Sequence, residues 1–249
     1  MRYAVLSDIH SNLEALDSVL KRTKELKAGR IVCLGDIVGY NADPNRCVEL
    51  IKDLSITAVA GNHDEEAASA NPPRNFNPYA EESILWTRKE LGEENKGFLR
   101  TLPAAVVVDG LFLALHSPKD TGDKYISSGH AAATAFKMLR EARTEPPLTF
   151  LGHTHVRRVF AEEEDAKVID VDIETTGTVK IKKNRRYLIN PGSVGQPRAG
   201  DSRASFLTYD TDSNTIEFHY ADYDIEATVK KIRAAGLPEI NAKRLPLGQ

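Results

Sequence analysis

The sequence predicts an α/β fold in which two mixed sheets pack together between helices, a four-layer α-β-β-α sandwich. Short apolar runs alternate with amphipathic stretches over the first sixty residues, a pattern typical of a parallel sheet with crossover helices. After about residue 104 the chain changes to closely spaced strand-like runs. Its 249 residues can bury a large core, and no repeat or linker divides them. We therefore expect one domain over residues 1–249.

The N-terminal part is expected to form three parallel strands joined by two helices. The strands are predicted at 3–7, 30–34 and 57–60. Leucines and a valine at helical spacing predict a first helix up to Leu26, which Ser11 and Glu14 would open as a capping box. A second helix is predicted from about Pro44 to Leu54. Each strand runs into a polar turn, and ligands of open α/β sheets bind at the carboxyl ends of strands.

The remainder of the chain is predicted to supply a cap and the second sheet. Residues 71–102 read as a loop and a helical region that breaks near Gly92, and we expect this segment to cover the site. Further elements are expected at 104–108, 111–115, 131–141 (helix), 148–151, 158–161, 167–173, 178–181, 187–189, 205–209, 215–220 and 225–235 (helix).

Composition excludes several classes of function. The chain has 41% hydrophobic and 28% charged residues, which is ordinary for a globular protein. A net charge of -3 provides no global basic field, so neither long nucleic acids nor membranes are expected partners. Cys33 and Cys47 are too few for a disulfide framework. The N-terminus lacks the apolar run of a signal peptide, and a cytoplasmic location is expected.

Histidine placement carries the functional signal. Five of the seven histidines end an apolar run beside Asp, Asn, Gly or Ser: His10, His63, His116, His153 and His155. A histidine that only packs in a core would more often stand alone within an apolar pattern. Asp8-x-His10 and Gly35-Asp36 are individually weak signals. Two blocks are stronger signals, Gly61-Asn62-His63-Asp64 and Gly152-His153-Thr154-His155. In each, the glycine allows a tight turn after the strand, and the residues that follow offer imidazole or amide ligands.

In their order, these blocks resemble the calcineurin-like metallophosphoesterase superfamily. Residues 190–194 and Pro197-Arg198 are similar to the C-terminal loop of its small bacterial and archaeal members. The resemblance implies two metal ions that share Asp36. One ion would take Asp8, His10, Asp36 and His155, and the other would take Asp36, Asn62, His116 and His153. His63 would remain free of metal and would stabilise the transition state or protonate the leaving oxygen.

The ligand chemistry agrees with this assignment. Imidazoles and carboxylates suit Mn, Fe, Co, Ni or Zn, and the absence of thiolates disfavours a closed structural zinc site. Two such ions can clamp an in-line displacement in which a hydroxide held between them attacks phosphorus. His63, with a usual pKa of about 6.5, would serve as general acid.

The segment after Asp36 departs from one branch of the family. Gly39 and Tyr40 stand where the Ser/Thr protein phosphatases carry an Asp that orients the catalytic His and an Arg that grips phosphate. Arg198 or Lys119 would replace that charge, and Tyr40, Asn62 and Arg198 are our candidate substrate contacts. We therefore favour a phosphodiesterase that acts on a small phosphate ester, with nucleotides as one substrate class.

Two alternatives remain open at the level of the sequence. The first is a phosphomonoesterase or a dinucleoside polyphosphate hydrolase. The second is a non-catalytic, metal-bearing scaffold for a protein partner, although a free imidazole at His63 has no use in a scaffold. The sequence carries no signal for the oligomeric state.

Overall fold

Two six-stranded mixed sheets face each other in the computed structural model, which describes residues 1–116, 125–142, 146–173 and 177–249. The strands are β1 (Arg2–Leu6), β2 (Arg30–Cys33), β3 (Thr57–Ala58), β4 (Ala105–Val108), β5 (Leu111–Ala114), β6 (Leu148–Phe150), β7 (Arg158–Glu162), β8 (Val168–Asp170), β9 (Thr178–Lys180), β10 (Arg186–Asn190), β11 (Ala204–Asp210) and β12 (Thr215–Ala221). The helices are α1 (Leu13–Glu25), α2 (Pro44–Asp53), α3 (Asn62–Ala68), α4 (Pro78–Glu90), α5 (Glu93–Thr101), α6 (Gly129–Glu141), α7 (Ile225–Ala234) and α8 (Glu239–Arg244), followed by a 3₁₀ turn, Leu245–Leu247.

Each sheet contains three parallel strands, which form one half of the first sheet and the centre of the second. The first sheet has the order β3-β2-β1-β11-β12-β9, in which β1, β2 and β3 are parallel. The second has the order β4-β5-β6-β10-β7-β8, in which β5, β6 and β10 are parallel. The carboxyl ends of parallel strands meet at one edge of a sheet, so each sheet offers one edge where loops can combine into a site.

Alternating side chains explain the layers. On β1, Tyr3 and Val5 enter the core between the two sheets, whereas Ala4 and Leu6 pack toward the helices on the outer face. Phe150 meets the inner core from the second sheet, and Phe136 of α6 covers the outer face of that sheet. The prediction of a four-layer sandwich is confirmed.

The structure corrects the predicted start of the first helix and adds two helices. Asn12, not Ser11, caps α1 by accepting a hydrogen bond from the backbone N–H of Ala15 (3.1 Å). The segment from Asn62, predicted as a turn, begins α3, and α8 near the C-terminus was not predicted. Both helices are too short for a periodic pattern to reveal.

Residues 78–101 form the two helices expected from the sequence. Gly92 separates them as the N-terminal cap of α5. On α4, Trp86 packs against an apolar cluster built by the C-terminal helices, whereas the neighbouring Leu85 is 38% exposed. Within the described ranges, no helix has both the length and the apolar character needed to cross a membrane.

Candidate metal centre

Six of the seven predicted metal ligands lie on loops that follow parallel strands, and the seventh, Asn62, is the first residue of α3, which follows β3. The loop after β1 carries Asp8 and His10, and the loop after β2 carries Asp36. In the second sheet, His116 follows β5, and His153 and His155 follow β6. Strand β11 pairs antiparallel with β1 and extends the first sheet. The loop after β10 joins the two sheets at the site, because the backbone N–H groups of residues 194 and 195 donate hydrogen bonds to carbonyl oxygens of the loop after β1.

One group of ligands brings together Asp8, His10 and His155. Their candidate ligand atoms all lie within 4.8 Å of one another, and all three residues are buried. The Nε2 atom of His155 is 3.2 Å from Oδ1 of Asp8, and the Nε2 atom of His10 is 3.8 Å from the same oxygen. The two Nε2 atoms are 3.1 Å apart.

The hydrogen bonds of these two imidazoles indicate a cation site. Nδ1 of His10 lies 3.1 Å from the carbonyl oxygen of Val38, and Nδ1 of His155 lies 2.5 Å from that of Gln196. A carbonyl oxygen only accepts, so each Nδ1 carries the proton and each neutral ring presents an unprotonated Nε2. Two nitrogen lone pairs and a carboxylate oxygen then converge. They repel one another unless a cation lies between them, so these residues fit a metal.

Asp36 and His63 lie beside that group. Oδ2 of Asp36 is 3.7 Å from Nε2 of His10, and Oδ1 accepts a hydrogen bond from the backbone N–H of His63 (3.0 Å). Candidate ligand atoms of His10, Asp36 and His63 also fall within 4.8 Å of one another. Geometry alone thus permits His63 either as a ligand or as a free imidazole.

A further group joins Asn62, His116 and His153. Nε2 of His116 is 3.2 Å from Oδ1 of Asn62, and the rings of His116 and His153 have centroids 4.4 Å apart. Nε2 of His153 is buried and has no hydrogen-bond partner among the described residues. A buried nitrogen without a partner is costly, and metal coordination would satisfy it.

Burial shifts the pKa values of the carboxyl and imidazole groups in the direction that favours the neutral form of each. Desolvation raises the pKa of Asp8 and Asp36, and each carboxylate is buried near another one. Burial lowers the pKa of His10, His63 and His155 well below the usual value, and that of His153 to about 3. The imidazoles are therefore neutral near pH 7, which is the form that binds metal.

Loops around the site are tied together by buried side chains that sequence reasoning did not select. Asp64 accepts from the backbone N–H of Val38 (3.1 Å) and of Gly61 (3.0 Å), and its pKa is raised to about 7 by burial. Asn41 donates to the carbonyl oxygen of His10 (2.7 Å), and Ser193 to that of Asp8 (2.8 Å). Asp64 was visible as part of the Gly-Asn-His-Asp block, whereas nothing local in the sequence marked Asn41.

Gly39 makes room for the ring of His63. Its φ is +101°, and a Cβ atom built on it would be 2.4 Å from Nδ1 of His63. No side chain larger than hydrogen fits there without displacing that imidazole, and positive φ also favours glycine. The glycine that replaces the Asp of the phosphatase branch at this position thus leaves the space that the His63 ring occupies.

Aromatic and cationic side chains surround the open side of the ligand groups. The Tyr40 ring lies 4.7 Å from that of His10 and 4.6 Å from that of His63, and the Phe76 ring lies 5.0 Å from His63. Tyr125 stacks on His153 at 4.4 Å. Nothing in the sequence singled out Phe76 or Tyr125.

Of the two cations that the sequence suggested, Arg198 reaches the site. It donates to Oε1 of Gln196 (2.8 Å) and lies 3.5 Å from the hydroxyl of Tyr40. Lys119, the other candidate, lies outside the described residues.

Comparisons with known proteins agree with this arrangement. Residues 1–214 match the model of the calcineurin-like phosphoesterase superfamily domain. The chain is similar to an uncharacterized protein of Methanocaldococcus jannaschii, with 39% identity covering 99% of this chain and 98% of the relative.

Two solved structures have similar folds. A metallophosphoesterase from Sphaerobacter thermophilus is 35% identical, with a TM-score of 0.85 over 100% of this chain and 99% of that one. A hypothetical protein from Pyrococcus horikoshii is 22% identical, with a TM-score of 0.81 over 100% and 98% of the two chains, which supports the fold alone. Together with the family match, these findings show that the chain belongs to the calcineurin-like phosphoesterase superfamily, a metal-dependent family of phosphate-ester hydrolases.

Proposed function

We propose that this protein is a phosphodiesterase that hydrolyses a small phosphate ester with two divalent transition-metal ions. The observation that carries the proposal is the convergence of two unprotonated imidazole nitrogens, on His10 and His155, with the carboxylate of Asp8. That convergence favours a bound cation, and the ring centroid of His63 lies 4.7 Å from that of His10.

The ligands would divide between two ions. One would be held by Asp8, His10, Asp36 and His155, and the other by Asp36, Asn62, His116 and His153. Asp36 would contact both ions, as the family resemblance implies, and its carboxylate has the two oxygens that such a role needs. When bound, Mn, Fe, Co, Ni or Zn ions would lower the pKa of water to supply the nucleophile and would neutralise charge on the phosphate.

The protein's own contribution at the leaving group would come from His63. Its ring is fixed between Tyr40, Phe76 and the hydrogen of Gly39, while its backbone N–H is held by Asp36. Burial lowers the pKa of His63, so at neutral pH the ring holds a single proton and donates it as a hydrogen bond to the leaving oxygen. A bound phosphate anion would favour the protonated ring and let it act as general acid.

The preference for a diester rests on the loop after β2. That loop presents Gly39 and Tyr40 toward His63 and offers no cation of its own for a terminal phosphate dianion. Asn62, Tyr40 and Arg198 would instead contact the non-bridging oxygens or the leaving group. Arg198 lies beside Tyr40, with its Cζ 5.9 Å from the ring centroid.

Residues 71–102 would act as a cap within a single domain that spans residues 1–249. Support comes from Phe76, which packs its edge against His63 from the loop before α4. The α3 and α4 helices on either side of that loop are joined by Arg88, which donates to the carbonyl oxygen of Glu66 (2.7 Å). A cap of this kind would exclude water from the leaving group.

Metal-reconstituted turnover tests the proposal. The protein, stripped and reloaded in turn with Mn, Fe, Co, Ni or Zn, should hydrolyse bis-p-nitrophenyl phosphate faster than p-nitrophenyl phosphate. His63→Ala should lower kcat by about 10²–10⁴-fold while metal content stays the same. Loss of metal together with activity would instead make His63 a ligand.

The rival functions give distinct results. A preference for p-nitrophenyl phosphate would favour the phosphomonoesterase. No hydrolysis of either ester with any of the five metals, together with stoichiometric metal binding, would favour the non-catalytic scaffold and refute the enzyme.

A further inference from the structure

Helix α8 reaches the loop after β2 through a buried asparagine. Asn241 of α8 is 1% exposed, and its side-chain nitrogen donates two hydrogen bonds. One goes to the backbone carbonyl oxygen of Tyr40 (3.0 Å), in the loop after β2, and the other goes to Oγ of Ser83 on α4 (2.9 Å). A single side chain therefore joins α8, α4 and the loop that carries Tyr40.

Both partners of this amide need a donor. A backbone carbonyl only accepts, and the hydroxyl of Ser83 uses its own proton in a hydrogen bond to the carbonyl oxygen of Tyr79 (2.7 Å). The NH₂ group of Asn241 has two hydrogens and satisfies both acceptors, whereas a carboxylate in the same place would satisfy neither. Without Asn241, the carbonyl of Tyr40 would lose the donor that the fold supplies, and a buried acceptor left without a donor is costly.

The backbone at Tyr40 has a conformation that is uncommon for tyrosine. Its φ is +57°, and the φ of the preceding Gly39 is +101°. In a residue other than glycine, such a conformation persists only where the surroundings hold it. The N–H of Gly39 donates to Oγ of Ser11 (3.1 Å), and the N–H of Asn41 donates to the carbonyl oxygen of Gly39 (2.7 Å). Asn241 adds the hydrogen bond to the carbonyl of Tyr40 itself.

The backbone of Tyr40 sets the position of its side chain in the site. The ring centroid lies 4.7 Å from that of His10 and 4.6 Å from that of His63, and the hydroxyl lies 3.5 Å from a terminal nitrogen of Arg198. Tyr40 is 5% exposed, so its close-packed ring has little room to move unless the backbone moves with it. A shift of the Tyr40 carbonyl would therefore displace the ring from His63 and the hydroxyl from Arg198.

We propose that Asn241 is a positioning residue, which supports substrate binding through Tyr40. It holds the Tyr40 backbone in the conformation that directs the ring and the hydroxyl toward the place where the phosphate ester binds. This inference rests on the proposed function, in which Tyr40 contacts the substrate, and extends the site to a helix that carries none of the candidate ligands. Asn241 lies beyond residue 214, where the match to the family model ends.

A double-mutant cycle tests whether Asn241 acts through Tyr40. In the metal-loaded protein, Asn241→Ala should lower kcat/KM for bis-p-nitrophenyl phosphate by about tenfold, mainly through a higher KM, because Tyr40 is a substrate contact and not a ligand. Tyr40→Ala should lower kcat/KM by at least as much. In the double variant the loss should equal that of Tyr40→Ala alone, since Asn241 then has no ring to position. Independent effects would multiply to about a hundredfold loss and would overturn the proposal.

Asn214→Ala is the matched control for loss of an asparagine side chain. Asn214 is half-buried in the turn between β11 and β12, and its Oδ1 accepts a hydrogen bond from the hydroxyl of Tyr209 (3.1 Å). That turn lies at the end of the sheet where β1 begins, opposite the carboxyl ends that lead to the ligands, because Arg2 pairs with Asp210. Asn214→Ala should lower the midpoint of urea unfolding and leave kcat/KM unchanged. An equal loss of kcat/KM in Asn214→Ala and Asn241→Ala would indicate general destabilisation and overturn the proposal.

Amide hydrogen exchange reports on the loop after β2 without turnover. Asn241→Ala should speed exchange of the N–H groups of Gly39 and Asn41, while the amides of β11 keep their wild-type rates. Asn241→Gln keeps both donors on a longer side chain and should give intermediate rates, so the test stays decisive if the alanine variant is unstable. Wild-type exchange at Gly39 and Asn41 in both variants would show that Asn241 does not hold the loop.

Turnover of the wild type separates this proposal from the proposed function. Normal turnover of bis-p-nitrophenyl phosphate, with unchanged exchange at Gly39 and Asn41, would refute the role of Asn241 and leave the phosphodiesterase intact. No wild-type turnover with any of the five metals would refute the proposed function, and the exchange rates would still decide whether Asn241 holds the backbone of Tyr40.

Discussion

The metal-ligand cluster and the rim around it are built in opposite ways. The cluster consists of Asp8, His10, Asp36, Asn62, His116, His153 and His155. Five of these seven are buried, and backbone or side-chain hydrogen bonds fix their loops. The rim consists of Tyr40, Phe76, Tyr125 and Arg198. It is more exposed than the cluster, with Tyr125 at 49%, and Tyr40 is its buried exception.

This difference suggests that the cluster determines the chemistry, whereas the rim determines substrate selectivity. Cluster residues come from strand ends that the two sheets bring to one place, so their geometry follows from the core. Rim residues come from four separate segments, including the cap loop, which can change without disturbing the sheets. Substitutions in the cluster should therefore abolish turnover, whereas those in the rim should alter which substrates are used.

The largest effect should come from Asp36→Asn. Loss of a charged oxygen from the shared ligand should lower kcat/KM by at least about 10³-fold and reduce the number of bound ions. Elemental analysis and turnover of bis-p-nitrophenyl phosphate measure both, with the exposed Asp53→Asn as a matched control. Wild-type metal content and activity in Asp36→Asn would remove this residue from the cluster.

Gly39→Ala probes the boundary between cluster and rim. A Cβ atom 2.4 Å from Nδ1 of His63 must displace the ring, so kcat should fall by about 10–10²-fold while metal content is retained. Gly97→Ala is the control, because an added Cβ there meets nothing within 4 Å and lies in α5, where alanine is favoured. Full activity in Gly39→Ala would show that the position of His63 does not limit the rate.

Histidine burial in the cluster predicts a pH dependence of stability in the metal-free protein. The pKa of His153 is about 3 in the folded state against about 6.5 when unfolded. Between these values only the unfolded chain binds the proton, so stability from this group is complete above pH 6.5 and is lost as pH falls.

Urea unfolding at pH 7.5 and pH 5.5 measures this contribution. On acidification the wild type should lose about 1 kcal/mol more than His153→Asn does. Equal losses in the two proteins would mean that His153 titrates normally in the fold.

The smallest effect should come from the cap. Phe76→Ala removes an edge-to-face contact with His63 and should raise KM by about two- to tenfold with a smaller change in kcat. Tyr79→Ala removes an aromatic ring from the same segment at a position 55% exposed and should leave KM unchanged. If both variants behave alike, residues 71–102 do not cover the site.

Sequence reasoning predicted the cluster better than the rim for a physical reason. Each cluster residue lies within a few positions of a buried strand, in short blocks whose order resembles the superfamily signature, and the pattern of strands around these blocks also predicted the two-sheet fold. Phe76 and Tyr125 reach the site only through tertiary contacts, namely the contacts of their rings with His63 and His153. The short helix α3 and the capping of α1 by Asn12 depend on local hydrogen bonds. The periodicity of apolar residues in the sequence carries no information about such bonds, so neither feature was predicted.

The backbone of the site has a consequence for protein engineering. Asp8, His10, Asp36, His153 and His155 all have φ between +48° and +70°, a left-handed region that costs a non-glycine residue of order 1 kcal/mol or more. Glycine at any of these positions would relieve strain and remove a ligand in the same step. A selection for heat resistance alone would therefore favour glycine at these five positions of the candidate metal centre, so such a screen must retain a turnover assay.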